Sequence, residues 1–298
     1  MQPDITFSER LEAIGDKVTL SLDGLIPRVT GPESDLLSAM RYSALGGGKR
    51  LRPLFVIEGG ALFDLPAKAM IRVAAAVECI HTYSLIHDDL PCMDDDDLRR
   101  GQPTVHKAYS EEIAVLAGDA LHALAFEILA DEETHSQPKV RVELISLLAK
   151  AIGARGMVGG QAMDMTASGT QMEMALIARM QRMKTGALIQ YSIGAGAIMA
   201  GASDEAKSAL SGFSNDLGLV FQITDDLLDA CGESDETGKA VGKDAKQGKA
   251  SFIDELGIDG ARRRAKLLAE QAKQHLDIFG SSALILRQSV DFVINRSR

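Results

Sequence analysis

At 298 residues the chain can bury a substantial core, in one large domain or two. A net charge of −10 argues against a general nucleic-acid face, which needs basic residues to meet phosphates, but it leaves room for a small anion held by local cations. Cys79, Cys92 and Cys231 show no CxxC spacing, so neither a disulfide frame nor a zinc site is expected. Trp is absent, aromatics are scarce, and Ala, Leu, Ile and Met abound, which favours helices over sheet. The first residues lack a basic and apolar leader, and the longest small-apolar run, Ile193 to Ala202, is too short and Gly-rich to span a bilayer. A soluble cytoplasmic protein without stable membrane insertion is expected.

Leu11, Ile14, Val18 and Leu22 recur at helical spacing, predicting an amphipathic helix from Phe7 to Leu25 with Ser8 as candidate N-cap. Gly31-Pro32 closes that region, and Ser34 to Ser43 begins another helix. Gly46-Gly-Gly-Lys-Arg-Leu-Arg-Pro53 follows. It lacks the spacing of a nucleotide phosphate loop, yet its glycines permit close backbone approach, Pro53 suits a first helical turn, and Lys49 and Arg52 add full charges. It is either an anion site or a solvated basic turn.

A long apolar helix, Ala67 to Leu90, leads into Asp88-Asp-Leu-Pro-Cys-Met-Asp-Asp-Asp-Asp97, six carboxylates in ten residues, then Arg99 and Arg100. Crowded carboxylates repel, so the run is either a solvated loop or a site for a hard cation such as Mg²⁺, which prefers oxygen ligands and substrate phosphates. Pro91 cannot continue the helical ladder, and a break there could return Asp94 towards Asp88. His81, seven residues before Asp88, falls within about 20° of the same face.

Further helices are expected from Gly118 and from Pro138 to Ile152. The Gly- and Met-rich stretch around Gly159-Gly-Gln-Ala-Met-Asp164 is either a close helix–helix contact or a helix approached by ligand. Lys184-Thr185-Gly lies in an apolar helical pattern. If Lys184 is buried it needs a counter-charge; otherwise it snorkels to the surface. Asp225-Asp-Leu-Leu-Asp229 stands in a second apolar helix, with Asp225 and Asp229 about 40° apart and one turn apart. Acidic groups there require something positive opposite them, and a metal suffices. Beyond lies a Gly-rich segment bearing Lys239, Lys243, Lys246 and Lys249, which reads as a lid over an anion, and then two more helices from Asp254 to Arg298. With no repeat or linker in view, residues 1–298 read as one all-α domain.

With both aspartate motifs in order and basic motifs before and between them, the chain resembles the trans-isoprenyl diphosphate synthases throughout its length. The resemblance implies a bundle of antiparallel helices around a deep central cavity (the isoprenoid synthase fold), usually a homodimer. It implies Mg²⁺ bound by Asp88, Asp94 and Asp225, with Asp89 and Asp229 in support. Arg99, Lys184 and Lys239 match contacts to an allylic diphosphate (dimethylallyl or geranyl). Lys49, Arg52, His81 and Arg100 match the pocket for isopentenyl diphosphate, and Thr185 and Gln222 match polar groups beside the reacting carbons. Asp88, Asp225, Lys184, Thr185 and Gln222 would carry the catalysis, a head-to-tail prenyl transfer. Bulk just before the first motif limits product length in the family. Tyr83, about 7.5 Å down the helix from Asp88, and small Ser84 resemble the bacterial farnesyl type and imply a C15 product over C20 or longer. Ser251, Phe252 and Ile253 depart from the family's usual Thr, Tyr and Pro near the lid. A terpene cyclase would usually replace the second aspartate motif with an Asn/Ser/Glu set, and a plain acidic metal binder leaves the four basic motifs unexplained.

Overall fold

The computed structural model describes residues 6–28, 31–167, 173–231 and 252–296, with backbone alone at 167, 229, 231, 254 and 255. Thirteen α-helices account for nearly all regular structure among them. The first, α1 (Phe7–Leu25), buries Ile14, Val18 and Leu22 as its periodicity predicts. Its N-cap is Thr6, not Ser8. The Thr6 hydroxyl accepts from the Glu9 N–H at 3.3 Å while the Glu9 carboxylate accepts from the Thr6 N–H at 2.8 Å, a reciprocal capping box that starts the helix upstream of Ser8.

After α2 (Ser34–Leu45) and α3 (Leu51–Ala61) comes α4 (Ala67–Asp88), the axis of the fold. It packs against α1, α2, α3, α6 (Glu111–Ala130) and α10 (Ala187–Met199). A helix surrounded on several sides reads as apolar all round rather than as a stripe, and residues 73–80 of α4 are buried without a break. Helices α3 and α10 meet backbone to backbone. A Cβ at Gly59 would lie 2.5 Å from the Ile193 carbonyl oxygen, and one at Gly196 would lie 2.5 Å from the Gly59 carbonyl oxygen. The sole β-structure among the described residues is a small antiparallel ribbon, β1 (Leu98–Arg99) with β2 (Gln102–Pro103). It turns through Arg100 and Gly101, both at positive φ.

The remaining helices are α5 (Val105–Ala108), α7 (Pro138–Ile152), α8 (Met157–Ala167), α9 (Met174–Gln181), α11 (Asp204–Cys231), α12 (Phe252–His275, interrupted at Gly257) and α13 (Leu284–Asn295). One core cluster runs from Ile14 in α1 to Val293 in α13. By length and composition alone, α4 and α6 could each cross a membrane, which the reading of Ile193 to Ala202 overlooked. Two-thirds of the apolar window of α4 is buried in the core, whereas less than half of that of α6 is.

One ion pair ties the basic loop to the axis. Arg50 and Glu78 are 5% and 2% exposed; the guanidinium binds the Glu78 carboxylate and donates to the Ala44 carbonyl at 2.6 Å. Removing one member of a buried pair leaves the other uncompensated, at about 3–5 kcal/mol. Glu78→Ala should therefore destabilise the protein by about 3 kcal/mol or more in urea denaturation; a loss under about 1 kcal/mol would show the pair to be incidental.

Candidate active site

The loop after α2 is shaped by left-handed backbone. Gly47 and Gly48 have φ of 84° and 126°, and Arg50, the N-cap of α3, has φ of 49°. Gly48 has a second reason to be glycine, since a Cβ there would lie 2.6 Å from the Arg100 guanidinium. Arg100 donates to the Gly47 carbonyl, locking the β1–β2 turn onto this loop. Arg50 turns inward to Glu78, Arg52 lines the cleft, and Lys49 is exposed within the fields of Arg296 and Asp225. Arg52 donates to His81 Nε2 at 3.3 Å. Burial, together with Arg52, Arg100, Arg99 and Arg50, holds the His81 pKa well below the usual imidazole value, so the ring is neutral and accepts. Burial also depresses the pKa of Arg52 and Lys49, with Asp225 opposing in both cases.

At the other end of α4 the helix stops at Asp88, ahead of Pro91, and the chain folds back. The Asp94 N–H donates to the Asp88 carbonyl at 2.8 Å, and the Asp96 N–H to that of Asp89 at 3.3 Å. The break at the proline thus returns Asp94 to Asp88. Asp89 is buried and accepts from Arg99 Nε on both oxygens, at 2.8 and 2.7 Å, which fixes the side chain of β1 behind the motif. Burial pushes the Asp88 carboxyl up to about 6, with Asp94 adding to the rise and Lys184 opposing it.

Lys184 and Thr185 do not lie in regular helix. Arg182–Gly186 is a single π turn between α9 and α10, an irregularity frequent at functional sites. Lys184 is partly buried, and its ammonium donates to Asp164 of α8 at 2.6 Å, the counter-charge its environment demands. The contact depends on Gly160, where a Cβ would lie 2.2 Å from the Lys184 nitrogen; the glycines of α8 therefore serve close packing.

These elements enclose a cavity of about 530 Å³. Arg52, His81, Asp88, Lys184 and Thr185 line it, and so do Tyr83 and Ser84. Its remaining wall includes Leu85, Met93, Val115, Met157 and Met165, with Gln161 of α8, whose buried Oε1 has no hydrogen-bond partner. Tyr83 lines the cavity although helical geometry turns it well away from Asp88. Its ring lies 4.9 Å edge-on from His122 and 5.7 Å from His87, and His122 in turn meets Phe126 at 5.3 Å.

The second motif reaches this region through Arg52, which lines the cavity beside Asp88 and also lies in the field of Asp225. Close approach of Gly218 to Gly186, at 3.3 Å from a notional Cβ, seats α11 on the π turn. Asp225 accepts from Arg296 at 2.6 Å, a partner no sequence pattern announced. Lys49, Asp94, Arg99, Arg100, Gln222 and Asp225 are not among the residues lining this cavity; the Gln222 amide donates to Asp226 at 3.0 Å, and Asp226 receives the Phe252 N–H that starts α12, at 2.8 Å. Lys239, Lys243, Lys246, Lys249 and Ser251 lie outside the described residues, as does the side chain of Asp229.

Among the described residues no three carboxylate, imidazole or thiolate side chains stand close enough to hold a metal alone. The donor set nonetheless suits a hard divalent cation. It is all oxygen, and burial raises the Asp88 carboxyl despite the opposing charges of Lys184 and Arg99, so further positive charge beside it would favour its ionised form. Asp88 and Asp94 would help hold such a cation, which would supply positive charge to an incoming anion.

Comparison with known proteins agrees with this geometry. The Polyprenyl synthetase family matches residues 33–278. The chain belongs to the polyprenyl synthetase family. This polyprenyl synthetase is 41% identical to the farnesyl diphosphate synthase of Escherichia coli, over 98% of this chain and 99% of that one. It is 37% identical to the geranylgeranyl diphosphate synthase of Cyanophora paradoxa, over 97% and 95%. The structure of an FPP/GFPP synthase from Zymomonas mobilis superposes with a TM-score of 0.90 at 47% identity, covering 96% of this chain and 98% of that one. The all-α isoprenoid synthase fold is thereby established.

Because the Asp88 carboxyl titrates near 6, the native state binds a proton there that the unfolded chain, at ordinary carboxylate pKa, does not. The stability of the metal-free protein should therefore fall as pH rises from about 4 through about 6. Asp88→Asn in EDTA at pH 7.5 should gain up to about 3 kcal/mol while losing product formation. Unchanged or lower metal-free stability would place Asp88 in solvent.

Proposed function

We propose that this polyprenyl synthetase condenses isopentenyl diphosphate with dimethylallyl or geranyl diphosphate to give farnesyl diphosphate and diphosphate. The observation that carries the reading is one cavity with charged groups at Asp88, Arg52 and Lys184 and an apolar wall running to Tyr83. Asp88, Asp94 and Asp225 would hold Mg²⁺, which when bound neutralises charge on the diphosphate oxygens.

Lys184, now paired with Asp164, and Arg99, now paired with Asp89, would take up negative charge as the allylic C–O bond breaks and its electron pair leaves with diphosphate. Lys49, Arg52 and Arg100 would hold the diphosphate of isopentenyl diphosphate, with neutral His81 fixing Arg52. The Thr185 hydroxyl oxygen turns its lone pairs towards the allylic cation, and the apolar wall excludes the water that would quench it. The isopentenyl double bond supplies the electrons of the new C–C bond, and proton loss to the departed diphosphate restores a double bond. Gln222 acts through Asp226 on the start of α12, as a positioning residue.

Tyr83, backed by His122 and Phe126, sets product length by closing the cavity. The exposed Leu116 of α6 and Val142 of α7, 50% and 64% accessible, fit a homodimer of cytoplasmic enzyme in which a second copy covers them. A terpene cyclase has no use for the second cation set at Lys49 and Arg52.

With geranyl and isopentenyl diphosphates and Mg²⁺ the wild type should yield mainly C15 product by chromatography, and none in EDTA; mainly C20 or longer chains would overturn the assignment. Tyr83→Ala should shift the distribution to C20 and beyond. Asp225→Ala should slow turnover at least about a hundredfold with the helical circular dichroism spectrum intact, and near-normal turnover would remove Asp225 from the metal site.

A further inference from the structure

Arg296 stands just past the end of α13, where the backbone has already left the helix at ψ of 135°. From Nη2 it donates to Asp225 Oδ1 at 2.6 Å and to the Phe221 carbonyl at 3.1 Å, and its guanidinium carbon lies 4.0 Å from the centre of the Phe221 ring. The pair is one-sided. The Arg296 side chain is 6% exposed and that of Asp225 is 49% exposed, so the arginine approaches from the protein side and leaves the other face of the carboxylate open to the cleft. Lys49 is near enough to feel both charges.

We propose that Arg296 is a stand-in cation, occupying Asp225 while the cleft is empty and displaced when a divalent cation enters with diphosphate. The inference rests on Asp225 being a metal ligand. A magnesium ion binds carboxylate oxygen at about 2.0–2.1 Å, and an arginine nitrogen on the same oxygen would face it at close range with like charge. On that oxygen the two compete, and one must leave it. Arg296 can do so without unwinding α13, because it lies beyond the last helical residue, and its buried Nε makes no hydrogen bond that would anchor it. The empty site is thus kept electrostatically balanced at the cost of a weaker grip on the metal. In the first motif the arginine, Arg99, is held instead by the buried Asp89, on both of its oxygens.

The test is calorimetric titration of preformed magnesium diphosphate into wild type, Arg296→Met, Arg296→Lys and Asp225→Ala. Methionine keeps an apolar stem against Phe221 and removes the competing charge. Arg296→Met should bind about tenfold more tightly than wild type, the scale of one charge-assisted hydrogen bond, and Arg296→Lys should bind within about threefold of it. Equal or weaker binding by a folded Arg296→Met overturns the proposal, as does Arg296→Lys binding as tightly as Arg296→Met. Asp225→Ala binding as tightly as wild type would instead sink the metal-site reading, and with it this inference.

Discussion

Charge balance in a partly buried cleft governs this structure. Carboxylates and cations that would be costly alone are brought together in pairs: Glu78 with Arg50, Asp89 with Arg99, Asp164 with Lys184, Asp225 with Arg296. Their burial differs, and so do their roles. The Arg50–Glu78 pair is sealed from water and is structural, since it pins the basic loop to α4. The Asp225–Arg296 pair is half open, so its carboxylate can trade partners. Asp88 is the exception that marks the site, a recessed carboxyl whose proton affinity is raised by burial against the opposing charges of Lys184 and Arg99.

The scaffold makes those pairings possible by removing bulk. Gly59 and Gly196 let α3 and α10 touch at the backbone, Gly160 admits the Lys184 turn, and Gly48 makes room for Arg100. Where the helical ladder would point side chains the wrong way, it is interrupted. The π turn at Arg182–Gly186 re-aims Lys184 and Thr185 into the cavity, and the stop before Pro91 folds Asp94 back to Asp88. Local irregularity and functional geometry coincide because regular helices alone would distribute these groups over different faces.

Below the charged mouth the cavity is lined by methionines, short aliphatics and one aromatic group. Tyr83 is held edge-on against His122, itself edge-on against Phe126, so the wall is stiffer than a lone tyrosine would make it. Burial raises the phenol to about 12, with Asp88 adding to the rise, so the hydroxyl stays protonated and the wall stays neutral where a growing hydrocarbon would meet it.

Much of this was legible in the chain itself. Helical periodicity placed α1, α4 and α7 almost to the residue, because an apolar face at 3.6 spacing and a proline or glycine at the ends are local facts. The two aspartate motifs, the Gly46–Pro53 stretch and Lys184-Thr185 each left a solvated-surface reading open by residue type alone, and it was their order along the chain, through the family resemblance, that implied a metal and diphosphate site. What the sequence could not supply was the choice of partner. That Arg50 turns inward to Glu78 while Arg52 faces the cavity, that Asp164 neutralises Lys184, and that Arg296 returns to Asp225 are pairings between residues far apart in the chain. Residue type and spacing constrain what lies within a few helical turns. Only the packing of distant helices decides which of several acids meets which of several cations, because that depends on distances the linear order does not contain.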